Sequence, residues 1–105
     1  MYSRFAFFVG RVVEGDEVSL NQALQNEILP LVRAIPNIVS ANFHFCRNLE
    51  AGLPEIYAVL EMRYASQENA EASFATKERE EMRNALKSRL AAFRGKVIHM
   101  SCDMI

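Results

Sequence analysis

An excess of basic residues is missing from this sequence. Twelve Lys and Arg stand against thirteen Asp and Glu, a net charge of −1. That balance gives no electrostatic reason to bind DNA, RNA or an anionic membrane surface. No apolar run approaches the roughly 18 residues that a membrane-spanning helix requires. Cysteine occurs twice, with no C-x-x-C pair and no four-ligand zinc spacing. Neither a disulfide framework nor a structural metal is expected, and two free thiols suit a reducing cytoplasm. Three prolines and four glycines are too few for disorder or low complexity. There is no linker, and no nucleotide, flavin or metal signature, so no cofactor is implied. The opening Met1-Tyr2-Ser3-Arg4-Phe5 has too short an apolar stretch, and no small-residue cleavage site, to read as a signal peptide. What remains is one globular domain over residues 1–105, half hydrophobic and about a quarter charged.

Along the chain, Tyr2 to Val9 is dense in aromatic and branched residues and stops at Gly10, which predicts a strand. Gly10 to Asp16 reads as a loop. Leu20, Leu24, Ile28, Leu31 and Ile35 keep helical spacing, so a helix is predicted over Ser19 to Ile35. Ser19 and Gln22 have capping-box spacing. Pro30 removes the hydrogen bond to the carbonyl of Asn26 and should bend that helix. Val39, Ala41, Phe43 and Phe45 alternate with Ser40, Asn42, His44 and Cys46, the pattern of a half-buried strand over Ile38 to Arg47. Asn48 to Pro54 reads as a hairpin loop. Ile56, Ala58, Leu60 and Met62 alternate with Tyr57, Val59, Glu61 and Arg63 in a third strand. Ser66 caps a helix to Ala75, and Thr76 caps a longer one to Phe93, stopped by Gly95. Lys96 to Met104 is the last strand.

The order β-α-β-β-α-β is that of an α+β, ferredoxin-like fold. Right-handed crossovers put both helices on one face of a four-stranded antiparallel sheet of strand order 4-1-3-2. Ile98, Met100, Cys102 and Met104 are expected to face the helices, as are Phe5, Phe7 and Val9, although the first strand is apolar on both sides. Tyr2, Arg4, Ala6 and Phe8 would then lie on the open face with Ser40, Asn42, His44, Cys46, Tyr57, Val59, Glu61, Arg63, Val97, His99, Ser101 and Asp103. Of the three lysines, only Lys96 lies near a strand. An open sheet face that carries aromatics and so little lysine is expected to be covered by a second copy of the chain.

The stretch Asn26-Glu27-Ile28-Leu29-Pro30-Leu31-Val32-Arg33-Ala34-Ile35-Pro36-Asn37 resembles the helix end of EthD-like proteins, where E-H-x-P-L-V is followed by L-P-G. The segment Ser66-Gln67-Glu68-Asn69-Ala70 through Phe74-Ala75 resembles their strand-to-helix passage. The resemblance implies a dimeric α+β barrel whose two open sheets enclose a lumen that holds a small molecule. It also implies a setting in oxidative degradation or polyketide-type chemistry. Where the motif has histidine this chain has Ile28, so that residue's acid–base or ligand contact does not carry over. Haem-degrading barrels of this type use a tryptophan, and this chain has none.

Within that lumen the candidate ligand-binding residues are His44, Glu61, Tyr57, Asn42, His99 and Arg63. Histidine shuttles protons near neutral pH, a lumen carboxylate can act as base, and arginine can hold an anionic or phenolate group. Against this stands the reading of His44, His99, Glu61 and Arg63 as hydrogen-bonded interface groups. An acylphosphatase-like reading of Gly10-Arg11-Val12-Val13-Glu14-Gly15 fails on a missing arginine and on Glu14, Asp16 and Glu17, which would repel phosphate. An RNA-recognition reading fails on strand three, which lacks a basic, glycine-marked aromatic motif. The charged helix around Lys77 to Arg89 reads as a solvated face. Two functions are left open: a small-molecule-binding, catalytic or non-catalytic, homodimer, and an accessory dimer with a filled lumen. A lumen cavity on the order of 300 Å³ or more would favour the first, and a lumen packed by its own side chains the second.

Overall fold

A computed structural model describes residues 1–47 and 50–105. The first two residues of the hairpin loop expected at Asn48 to Pro54 therefore lie outside the described residues. The strands are β1 (Tyr2–Val12), β2 (Ile38–Phe45), β3 (Ile56–Tyr64) and β4 (Phe93–Asp103). They form one antiparallel sheet of order β2-β3-β1-β4. The helical segments are α1 (Glu17–Ala23), a π-helical turn over Leu24–Ile28, α2 (Leu29–Arg33), α3 (Gln67–Ser73) and α4 (Lys77–Arg89). This is the ferredoxin-like arrangement, with the helices on one face.

Local chemistry explains the helix ends. Ser66 and Thr76 act as N-caps, their side chains accepting from the amides of Asn69 and Arg79 at 3.2 Å each. The first helix starts earlier than the Ser19–Gln22 spacing suggests. Asp16 is its cap residue, and Ser19 instead donates to the Asp16 carbonyl. Pro30 is accommodated by the π turn just before it. The Leu29 amide reaches back to Leu24, which widens the helix ahead of the proline ring.

Two ends differ from expectation for one reason. β1 runs past Gly10 to Val12, and β4 begins at Phe93, so Gly95 is a strand residue rather than a helix stop. Gly10 and Gly95 pair across β1 and β4. A Cβ at Gly95 would lie 2.0 Å from the Val9 carbonyl oxygen, and one at Gly10 would lie 2.2 Å from that of Arg94. The two backbones approach so closely that only glycine fits on either strand.

The sheet faces are decided by register, since directly paired residues share a face. Ala41, Ala58, Leu60 and Met62 face the helices, as the alternation of β2 and β3 predicts. β1 is the reverse of expectation. Ala6 and Phe8 are buried under the helices, with Phe8 fully enclosed and edge-on to Phe43 and Phe93 at 6.0 and 6.1 Å. β4 is reversed with it. Val97 pairs with Phe8 and His99 with Ala6, whereas Ile98 pairs with Phe7 and Met100 with Phe5 on the open face. Leu20, Leu24, Ile28 and Val32 supply the helical side of the core.

Candidate functional site

The register separates the six sequence-predicted site residues. His44, Glu61, Arg63 and Asn42 lie on the open sheet face. Glu61, partly buried, accepts from Arg63 Nε at 3.1 Å and lies 3.3 Å from His44 Nε2. Partial burial pulls the Glu61 pKa up. The hydrogen bonds from Arg63 and His44 outweigh it and hold the carboxyl below its ordinary value. Asn42 is within 3.4 Å of Arg33, which wraps the β2 edge and donates to the Ala41 carbonyl at 3.0–3.1 Å.

Tyr57 and His99 are not on that face, which corrects their placement in a shared lumen. A bulge sets Phe8 against Ala58 and Val9 against Ile56, leaving Tyr57 unpaired on β1. The extra residue breaks the alternation and turns Tyr57 toward the helices. There it packs between Phe45 and Phe93, at 5.7 and 5.8 Å, and hydrogen-bonds Asn21 of α1. Burial, aided by Glu17, pushes its hydroxyl up to about 12. Tyr57 is a fastener between sheet and helix.

The open face is apolar over β1 and β4. Phe5 and Phe7 stack at 6.1 Å, flanked by Ile98 and Met100, each about half exposed. Cys102 joins this face beside Ser3, while Cys46 follows β2 at the far edge, and both thiols are free. Among the described residues no cluster of three or more His, Cys, Asp or Glu could hold a metal, and no helix is long and apolar enough to cross a membrane.

A cavity of about 400 Å³ lies on the other side of the sheet, between it and α4. Its walls are Leu60 and Met62 of β3, Met82 and Leu86 of α4, and Val97 of β4. Its polar end gathers Arg4, Tyr64, Arg79 and His99. The Arg4 and Arg79 guanidinium groups sit 4.9 and 4.7 Å from the centre of the same Phe74 ring. Tyr64 is buried, its hydroxyl 3.2 Å from Ser73 Oγ, which itself donates to the Ala70 carbonyl at 2.6 Å. His99 keeps a solvent-open side. Its pKa is nonetheless pushed below the ordinary histidine value, first by partial burial, then by Arg4 and Arg79. Burial likewise lowers that of Arg79, with Arg4 adding to it. A neutral imidazole beside two guanidinium groups can accept a proton or a hydrogen bond from a ligand held in the cavity.

Sequence reasoning singles out His99, though for the open face, and does not single out Arg4, Tyr64, Phe74 or Arg79. A signal for Arg79 is present. It precedes Met82, Leu86 and Leu90 at helical spacing, so it is an arginine on the apolar stripe of α4 rather than on its solvated side. Arg4 shares the parity of Ala6 and Phe8, and its placement follows once β1 is turned over.

No family model matches the chain, and no curated relative does. Solved structures do. An ethyl tert-butyl ether D (EthD) family protein from Bacillus halodurans superposes with a TM-score of 0.81 at 17% identity, covering 100% of this chain and 99% of the other. The fold is that of the EthD-family protein. An antibiotic biosynthesis monooxygenase follows at TM-score 0.64 and 12% identity, covering 100% and 99%. A dimeric ferredoxin-like protein of unknown function from Thermobifida fusca gives 0.64 at 20% identity, covering 98% and 90%.

Proposed function

We propose that this protein is a homodimer that binds a small, largely apolar or aromatic compound, one ligand per protomer, in the cavity between the sheet and α4. The observation that carries the reading is the cavity itself. Its volume of about 400 Å³ lies within the range of small-molecule sites, and it combines apolar walls with a cluster of polar groups, Arg4, Tyr64, Arg79 and His99. Neighbours described as an EthD-family protein and an antibiotic biosynthesis monooxygenase are in keeping with the setting in oxidative degradation or polyketide-type metabolism that the sequence resemblance implies. The free thiols of Cys46 and Cys102 suit a reducing, cytoplasmic compartment.

The open face supports the dimer. Phe5, Phe7, Ile98 and Met100 form a contiguous apolar strip that a monomer would leave in water, and the Thermobifida fusca neighbour is described as dimeric. In this reading His44, Glu61, Arg63 and Asn42 border the interface. They tie β2 to β3 rather than hold the ligand.

Binding of 1-naphthylmethanol, followed by calorimetry, tests the site. Saturable binding to the native protein, lost on filling the cavity with Leu86→Trp, is the expected result. Undiminished binding to a folded Leu86→Trp protein overturns the assignment. Light scattering tests the assembly, which should weigh about twice 11.9 kDa.

A further inference from the structure

The cavity is electropositive in a protein that is not. Arg4, Arg79, Arg83 and Lys87 line it against the single carboxylate of Glu80, while the whole chain carries a net charge of −1. Glu80 is engaged by Arg83 at 3.9 Å. Among the described residues, neither Arg4 nor Arg79 has a carboxylate within ion-pair distance. Both instead lean on the Phe74 ring. Two guanidinium groups against one ring repel each other, and the ring's quadrupole compensates only in part. Their partial burial makes the arrangement less favourable still, unless something negative completes it.

Resting on the ligand cavity argued above, we propose that Arg4 and Arg79 form a carboxylate subsite, so that the ligand is an apolar or aromatic acid. Its hydrocarbon body lies along Leu60, Met62, Met82 and Leu86, and its carboxylate meets the two guanidinium groups at the polar end. Guanidinium suits this role because its planar fork matches a carboxylate through two parallel hydrogen bonds. Phe74 keeps both forks oriented before the ligand arrives, so less side-chain freedom is lost on binding. His99 offers a further hydrogen bond from the β4 side. The paired guanidinium groups also give the ligand a direction, with its charged end toward β1 and the start of α4.

The test compares 1-naphthoate with 1-naphthylmethanol, which share a ring system and differ in charge, on the native full-length protein. At about 50 mM salt, naphthoate should bind about tenfold or more tightly than the alcohol. That preference should shrink at about 500 mM salt, where exposed charges are screened. Arg4→Gln and Arg79→Gln should each reduce the preference to about threefold or less and leave the alcohol's affinity within about twofold. Thermal unfolding establishes that each variant is folded, and Arg79→Lys replaces any variant that is not, with a partial loss expected because charge remains and the fork does not. Arg63→Gln, on the opposite sheet face, should leave the preference unchanged. Equal affinity for the two probes overturns the carboxylate subsite and leaves the cavity reading standing. Binding of neither probe overturns both. A preference that survives both arginine variants places the carboxylate elsewhere and overturns the proposal.

Discussion

Replacing Phe8 by alanine removes the side chain on which three elements meet. Phe8 is completely buried, and its ring meets Phe43 of β2 and Phe93 at the start of β4 edge-on. Withdrawing the ring forfeits about 1.5–3 kcal/mol of burial. The void it leaves, about 80 Å³ if the neighbours relax little, adds about 2 kcal/mol. The expected loss is about 3–5 kcal/mol, which lowers the melting temperature by more than about 10 °C in a chain of this size. Phe7→Ala is the matched control, one residue away on the opposite face. Within a protomer Phe7 mainly stacks on Phe5, so the loss there should stay below about 1.5 kcal/mol. Its larger effect should fall on dimerisation and fade as protein concentration rises. Urea unfolding at two protein concentrations separates the two. If Phe7→Ala costs more than Phe8→Ala at both concentrations, the face assignment of β1 is wrong.

Gly95→Ala should unfold or severely destabilise the protein, because its Cβ would meet the Val9 carbonyl oxygen at 2.0 Å; a circular-dichroism melt close to that of the native chain refutes the close approach. His99, faced by Arg4 from β1, Tyr64 from β3 and Arg79, Glu80, Arg83 and Lys87 from α4, should titrate below the ordinary histidine value in NMR. Arg79→Gln should move that titration upward. Because the folded pKa is the lower one, the stability tied to His99 is present above about pH 6.5 and is lost as pH falls through the folded value. Native-like stability retained across that fall, with no difference from His99→Gln, counts against the reading. Glu61→Gln should cost about 1 kcal/mol at neutral pH, modest because His44 and Arg63 are both substantially exposed. The Glu61 pKa is lowered on folding, so the difference should vanish as acid protonates the native carboxylate, and a difference that persists in acid refutes the network.

Alternation reports which residues share a face, but it does not report which face that is. In β2 and β3 the two sets differ enough in polarity to decide the matter, and Ala41, Leu60 and Met62 are where the pattern puts them. β1 carries phenylalanine on both sides, so counting rings favours Phe5 and Phe7 for the core. The structure buries Ala6 and Phe8. In β4 the apolar set, Ile98 and Met100, is the one turned outward, beside Phe7 and Phe5 on the open face. Where both sets of a strand are apolar, alternation alone does not say which one meets the helices. Tyr57 leaves the alternation of β3 through a bulge, which is set by backbone pairing and leaves no mark in composition. The resemblance at Asn26 to Asn37 points to the right fold, and it implies a ligand between two sheets, whereas the cavity lies under α4. The polar end of the cavity draws on β1, β3, β4, α4 and Phe74 at the end of α3, residues far apart in sequence that only the assembled register brings together.

The proposed ligand cavity lies under α4 and not on the open face of the sheet. Amide chemical-shift mapping during a titration with 1-naphthoate tests it most directly. The account predicts shifts concentrated at Arg4, Phe74, Arg79, Met82, Val97 and His99, with His44, Val59 and Glu61 unmoved. Shifts centred on His44, Val59 and Glu61, with the α4 residues silent, would contradict it.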